Sequence, residues 1–396
     1  MPYRSVSWSE LEFDMMRKNI MAIYAIVLLA AVLVPAMRSA AATITQARIL
    51  HQIERCANAE ISKIKEPAPT GWVHGVLYTG LVELYRASGN NRYLEPVLKA
   101  GDHVKWHLDF GPRKLNLAQA GNSFSFGQAI TGIYAINHKD VRIQPLKSCA
   151  DQMLAYFKAN ASNPRKLAWW WCDSLFMAPP AFAHLSVLTH NPKYRNAMNQ
   201  QWWAVTHLLY DKKEHLFFRD QSFFKTKSPN GQPVFWSRGN GWVIAGTAHT
   251  LKYLPETFPD RPRYVQLLRQ MATKLASLQG PDGLWRTNLL DYNQFPMPES
   301  SGTALDCYGM AWGIHHHLLS KKKFMPVVAK AWAGLLAMRN KAGDIAHVQS
   351  PGDQPEAVTP DVTEPYASGA FIMAGAQLMK LAPFNLPAVT KAANSK

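Results

Sequence analysis

The residues of this chain best suited to chemistry lie in one aromatic run, Trp169-Trp170-Trp171-Cys172-Asp173-Ser174-Leu175-Phe176, followed closely by Pro179 and Pro180. A carboxyl set among indoles and aliphatic side chains loses hydration. Its pKa then rises and it stays protonated toward neutral pH, the state a general acid needs. The same run also reads as an aromatic core with one capping Asp. Leu175, Phe176 and the apolar residues after them put Asp173 at a helix start, where the dipole favours the carboxylate and opposes the effect of burial. Of the three indoles, Trp171 is expected to face a ligand, with Trp169 and Trp170 packing. Pro179 and Pro180 predict a kink or a short first turn.

A second constellation is Phe235-Trp236-Ser237-Arg238-Gly239-Asn240-Gly241-Trp242. Arg238 has the geometry for a two-pronged contact with a carboxylate, and Trp236 and Trp242 offer faces for a sugar ring. Gly239 and Gly241 are expected to bracket Asn240 in a loop leading into an inner-type helix; an Arg tied to a structural Asp, with the glycines serving only a turn, is the alternative. The glycine spacing is not a nucleotide fingerprint. In a third segment, Asp282 to Thr303, Glu299 is either a second carboxylate or a helix cap. Consecutive His315, His316 and His317 point apart on a helix and make no metal set. No Gly-x-Ser-x-Gly elbow is present, and Cys172 has no fixed His partner, so a Ser or Cys nucleophile is not indicated.

The elements that hold these residues repeat. A helix rich in small residues, a polar turn ending in an aromatic, and an amphipathic helix run from Gly80 to Trp106. The pattern returns over Gly127–Met153, Phe182–His207, Gly246–Leu278 and Gly309–Met338. Ile44–Ala59 and Gly369–Leu381 remain, and pairing them across the termini makes six hairpins. That count predicts an all-α closed ring with inner and outer layers, against an open solenoid as the competing architecture. Asn116–Phe126 and Trp285–Ser301 are expected as loops at one end.

Residues 1–42 read as a signal segment. A basic Arg17-Lys18, an apolar Ile20–Val34 and small residues to Ala42 fit a secretory peptide, preceded by an extension unlike a signal start. The expected domain covers 43–385, with a disordered tail at 386–396, in a protein of the periplasm or exterior without stable membrane insertion. The formal charge is +16 over 396 residues, and dispersed basic residues without a nucleic-acid module point to an anionic small ligand, with no nucleic-acid partner. Four widely spaced cysteines permit one or two disulfides without requiring them.

Together, WWWCDSLFMAPP (169–180), LYDKKEHLFFRD (209–220), VFWSRGNGWV (234–243), DGLWR (282–286), YNQFPMPESSG (292–302) and VTEPYASGAF (362–371) resemble the unsaturated rhamnogalacturonyl hydrolases of glycoside hydrolase family 105 and the related family 88 glucuronyl hydrolases. The resemblance implies an (α/α)6 barrel, no cofactor, and removal of the Δ4,5-unsaturated uronic acid that a lyase leaves on anionic oligosaccharides such as pectin fragments. It implies Asp173 as the acid that protonates C4 and then activates water. Trp171, Arg238 and Trp242 would hold the sugar and its carboxylate, with Trp72 and Asp220 at the rim. Where these families carry acidic residues ahead of the second inner helix, this chain has Asn122 and Ser123. Asn122 keeps a hydrogen bond for a sugar hydroxyl but removes a like charge from Asp173. Asp306 is a candidate to compensate. A non-catalytic sugar-binding protein on the same barrel is the alternative.

Overall fold

The computed structural model describes residues 42–108, 117–161, 163 and 166–389, with the backbone alone at 42 and 117–120. The expected signal segment lies outside these residues except for Ala42. The helices are α1 (Gln46–Ile61), α2 (Trp72–Ser88), α3 (Glu95–His103), α4 (Leu117–Ile136), α5 (Asp140–Ala159), α6 (Ser174–Met177), α7 (Pro179–Leu188), α8 (Pro192–Leu209), α9 (Ser237–Leu251), α10 (Arg261–Ser277), α11 (Ser300–His315), α12 (Lys321–Ala337) and α13 (Pro365–Met379). Pro179 and Pro180 interrupt what would otherwise be one helix, giving the short α6 and then α7, because neither proline can donate to the preceding turn.

Two kinds of helix alternate. Every residue of α9 is buried, so no single apolar stripe is legible in it. In α10 the buried residues are Tyr264, Leu267, Leu268, Met271, Ala272 and Leu275, the spacing of a one-faced helix. The buried kind packs in cyclic order: α2 on α4, α4 on α6 and α7, these on α9, α9 on α11, α11 on α13, and α13 back on α2. Each has an outer companion, with α3 on α2, α5 on α4, α8 on α7, α10 on α9 and α12 on α11. Helix α1 packs on α13, so the first and last helical segments do pair across the termini. The fold is all-α, with helices packed as in an α/α toroid.

Ring closure needs backbones in near contact. A Cβ on Gly80 would stand 2.7 Å from the Gly369 carbonyl oxygen, and one on Gly369 would stand 2.5 Å from that of Val76. At the C-terminal ends of the inner helices, Glu83 of α2 pairs with Arg86 at 2.6 Å and with Lys252 after α9 at 2.7 Å. That ion pair ties two inner helices together across the ring.

Two short ladders complete the described residues: β1 (Ala42–Ile44) beside β4 (Phe384–Leu386), and the antiparallel hairpin β2 (Tyr210–Asp211) with β3 (Leu216–Phe217). Leu386 thus belongs to a strand, which corrects its assignment to a tail; 390–396 lie outside the described residues. Two expected loops are also corrected. Residues 117–126 are the first turns of α4, and Gly239, Asn240 and Gly241 sit in the first turns of α9. Both stretches look loop-like because they carry polar and small residues, but their polar atoms bond within the helix bundle instead of to water. Asn240 is fully buried; its amide donates to Phe217 O at 3.0 Å and its carbonyl accepts from Phe217 N at 2.8 Å, docking β3 on α9. All four cysteines are buried and unpaired, so the permitted disulfides do not form.

Candidate active site

The sequence-derived candidates gather at one end of the ring. Trp72 opens α2, Asn122 lies in the early turns of α4, Asp173 is the N-cap of α6, and Arg238 and Trp242 are in the first turns of α9; Tyr366, in the first turn of α13, joins them without having been a candidate. Helix N-termini carry partial positive charge, so this end suits an anionic ligand.

Asp173 is buried at 8% exposure. Burial raises its pKa, and the charges of Arg219 and then Arg238 only partly oppose this. The two opposed expectations for this carboxyl are resolved in favour of burial, and Asp173 makes no capping hydrogen bond to α6. The Cys172 thiol donates to Oδ2 of Asp173 at 3.4 Å. Burial, with the adjacent carboxylate, pushes that thiol well above its ordinary pKa, keeping it a donor and not a nucleophile.

Arg238 is fully buried. The alternative of an Arg tied to a structural Asp is not met: Nη1 donates to Gln349 O at 2.6 Å and Nη2 to Ser350 O at 2.9 Å. The guanidinium lies over Trp236 at 4.5 Å and Tyr366 at 5.2 Å. Its Nε has no hydrogen-bond partner, and among the described residues no carboxylate stands within 4.0 Å of it. A buried cation with no counter-ion is costly unless a ligand supplies one. Gln349 is the hub that holds it, since the same residue accepts from Trp236 Nε1 at 2.8 Å and from the Tyr366 hydroxyl. The sequence reading missed Gln349 and Tyr366, because neither stands in a chemically suggestive local run.

Aromatic rings line the same end. Trp72 lies tilted at 5.0 Å from Tyr366 and meets Trp242 edge-on at 6.3 Å, while Trp242 also packs on Phe176 at 4.9 Å. Trp171 is buried with its ring edge over Gly121, next to Asn122, and Trp169 is sealed against Phe157 and Phe182. Trp170 is 40% exposed, which corrects its assignment to packing; Arg219 lies over its ring at 5.5 Å.

Arg219 is the other residue that sequence reading missed. It follows β3, its carbonyl accepts from Cys172 N at 2.9 Å, and its side chain spans two carboxyls. Nε is 3.8 Å from Asp173 Oδ2, and Nη1 is 2.6 Å from Asp220 Oδ2. The other oxygen of Asp220 accepts from Ser222 N at 2.8 Å and Ser222 Oγ at 2.6 Å. Burial works to raise the Asp220 pKa, but these hydrogen bonds outweigh it and the carboxyl lies below its usual value.

Of two further acids, Glu299 adjoins the support of Arg238, accepting from Gln349 N at 3.3 Å, while Asp306 has no hydrogen bond to the site. Glu299 caps α11, accepting from Ser301 N at 2.8 Å and Gly302 N at 2.6 Å, so the capping alternative holds. Asp306 is fully buried, and the charge that acts on it is that of Glu299. It is not among the main influences on Asp173, and no hydrogen bond or ion pair among the described residues joins the two.

The sequence matches the model of glycosyl hydrolase family 88 over residues 45–382. The chain belongs to that family and is a carbohydrate-active hydrolase of its class. An unsaturated 3S-rhamnoglycuronyl hydrolase of Formosa agariphila is 33% identical over 327 residues, 79% of this chain and 85% of that protein. One of the same name from Alteromonas sp. (strain LOR) is 37% identical over 214 residues, covering 54% of this chain and 52% of that protein. A family 88 structure from Bacteroides vulgatus superposes with a TM-score of 0.79 at 27% identity, covering 86% of this chain and all of the other. Among the described residues, no helix is long and apolar enough to cross a membrane.

Proposed function

We propose that this protein removes a Δ4,5-unsaturated uronic acid from the non-reducing end of an oligosaccharide by hydrating the double bond, on an (α/α)6 barrel of six helical hairpins. One observation carries the reading: a buried Asp173 whose pKa burial raises, in the field of a buried Arg238 that makes no salt bridge among the described residues. An acid and an anion receptor side by side fit a substrate with a carboxylate next to a proton-accepting carbon.

Asp173 gives its proton to C4, and water adds at C5 with its own proton passing to the Asp173 carboxylate. The hemiketal at C5 opens and the glycosidic bond is lost, so Asp173 returns to its starting state. Arg238 answers the substrate carboxylate, the half-buried Trp72 packs on a sugar ring, the buried Trp171 and Trp242 back the site from within, and Asn122 bonds a hydroxyl. Asp220, with both oxygens engaged inside the protein, shapes the rim through Arg219. The names of the two bacterial relatives support rhamnose as the sugar beyond the cleaved bond, and the charge of +16 supports an anionic substrate. The signal-like start of the chain supports export to the periplasm or exterior.

Incubation with a panel of lyase-generated oligosaccharides tests the reading. The ultraviolet absorbance of the conjugated double bond should fall as a shortened saccharide appears. A sugar bound tightly with no loss of absorbance would instead establish a binding protein.

A further inference from the structure

The pairing of Arg219 with two carboxyls is lopsided. Its Nη1 is in hydrogen-bond contact with Asp220, whose second oxygen Ser222 fixes with two further hydrogen bonds. Its Nε, buried and without a hydrogen-bond partner, points to within 3.8 Å of Asp173 Oδ2, too far for a hydrogen bond. The face of the guanidinium rests over Trp170. One carboxylate is thus bound and the other is held just out of contact.

We propose that Arg219 is a positioning residue for the hydration reaction, tethered by Asp220 so that its Nε–H closes on Asp173 only after that acid has given up its proton. The proposal rests on Asp173 acting as the acid. A cation in full contact with Asp173 would draw the proton off before substrate arrived. A cation absent altogether would leave the spent carboxylate buried with little to stabilise it. The observed spacing avoids both. The groups that face Asp173 are Cys172 from its own turn, Arg219 with Asp220 behind it from the segment after β3, and Arg238 from α9. Arg238 is pinned by the Gln349 and Ser350 carbonyls, which leaves Arg219 as the cation with a donor free to move. No bond other than the proton transfer already described is made or broken.

The test is a double-mutant cycle read by carbon NMR titration of the Asp173 carboxyl, assigned by its absence in Asp173→Asn, together with the pH profile of kcat/KM. Arg219→Gln should raise the Asp173 pKa by about one unit, and Asp220→Asn, which releases the guanidinium, should lower it by about as much. In the Arg219→Gln background, Asp220→Asn should shift it little, because the effect of Asp220 passes through Arg219. Should Arg219→Gln not fold, Arg219→Lys carries the test: one ammonium cannot span both carboxyls, and Asp173 should rise by about half a unit. An Asp173 carboxyl that ignores both single substitutions overturns the proposal, as does an Asp220→Asn shift of equal size with and without Arg219. The predicted shifts in a protein that turns over no unsaturated sugar would refute the hydrolase reading and leave the arrangement standing.

Discussion

Arg238 acts electrostatically on Asp173, yet ends both its Nη groups on the backbone carbonyls of Gln349 and Ser350. Carbonyl oxygens orient a guanidinium without neutralising it. The site therefore keeps one positive charge fixed beside an acid whose pKa burial raises. A fixed cation beside an acid of raised pKa suits the charge of an unsaturated uronate.

Asp173→Asn should lower kcat by at least about 10²-fold, the lower end for losing a general acid. Stability should move the other way. The raised pKa means the folded protein holds the Asp173 proton more tightly than the unfolded chain does, so stability is lost as pH rises from the unfolded carboxyl value through the folded one. The Asn variant is spared that loss. Thermal midpoints should favour it near neutral pH, and the gap should close in acid.

Arg238→Lys keeps the charge but cannot reproduce two carbonyl contacts and stacking over Trp236 and Tyr366. Charged hydrogen bonds are worth about 1.5–3 kcal/mol each. A rise in KM of about 10-fold or more is expected, and an unchanged KM speaks against a carboxylate receptor at this position.

At the far end of the ring, Glu83→Leu leaves Arg86 and Lys252 without their shared counter-ion. Breaking a buried pair costs about 3–5 kcal/mol, and the lower end applies because both cations keep part of their surface in water. Denaturant unfolding should show this loss, while Asp173 chemistry, at the opposite end of the helices, is left intact.

Asp306 has neither carboxyl oxygen hydrogen-bonded, and burial pushes its pKa well above the ordinary range. Replacing it by Leu, which branches at the same atom with methyls in place of the oxygens, should stabilise the protein by about 1–3 kcal/mol by removing unsatisfied buried polar atoms. Activity should persist, since this acid is not among the main influences on Asp173. A loss of activity with an intact fold would reassign it to the site.

Gly369→Ala places a methyl group 2.5 Å from the Val76 carbonyl oxygen, a backbone atom that cannot swing away. The variant should fail to accumulate as folded protein, whereas Gly71→Ala, which meets nothing within 4 Å, should fold normally.

How much of this was legible in the sequence depends on what each residue does locally. The hairpin repeat, the pairing of the first helix with the last, and the position of Asp173 at a helix start followed from apolar spacing and small-residue content. The first turns of α4 and α9 did not. A helix buried on every side has no periodic stripe, and Ser125 or Asn240 spends its polar atoms on neighbouring backbone, which looks like loop chemistry in one dimension. Arg219 and Gln349 were equally hidden. Their partners lie far along the chain: Asp173 precedes Arg219 by a whole helix pair, and Arg238 precedes Gln349 by two. Trp170 shows the same limit, because three consecutive indoles reveal that they diverge but not which one reaches water.

The most direct test compares one unsaturated oligosaccharide with its hydrogenated counterpart, in which the C4–C5 double bond is saturated and everything else is retained. Hydration by Asp173 requires the double bond, so the protein should shorten the unsaturated compound and leave the saturated one whole. Cleavage of both at similar rates would mean direct attack at the glycosidic bond and would contradict the account.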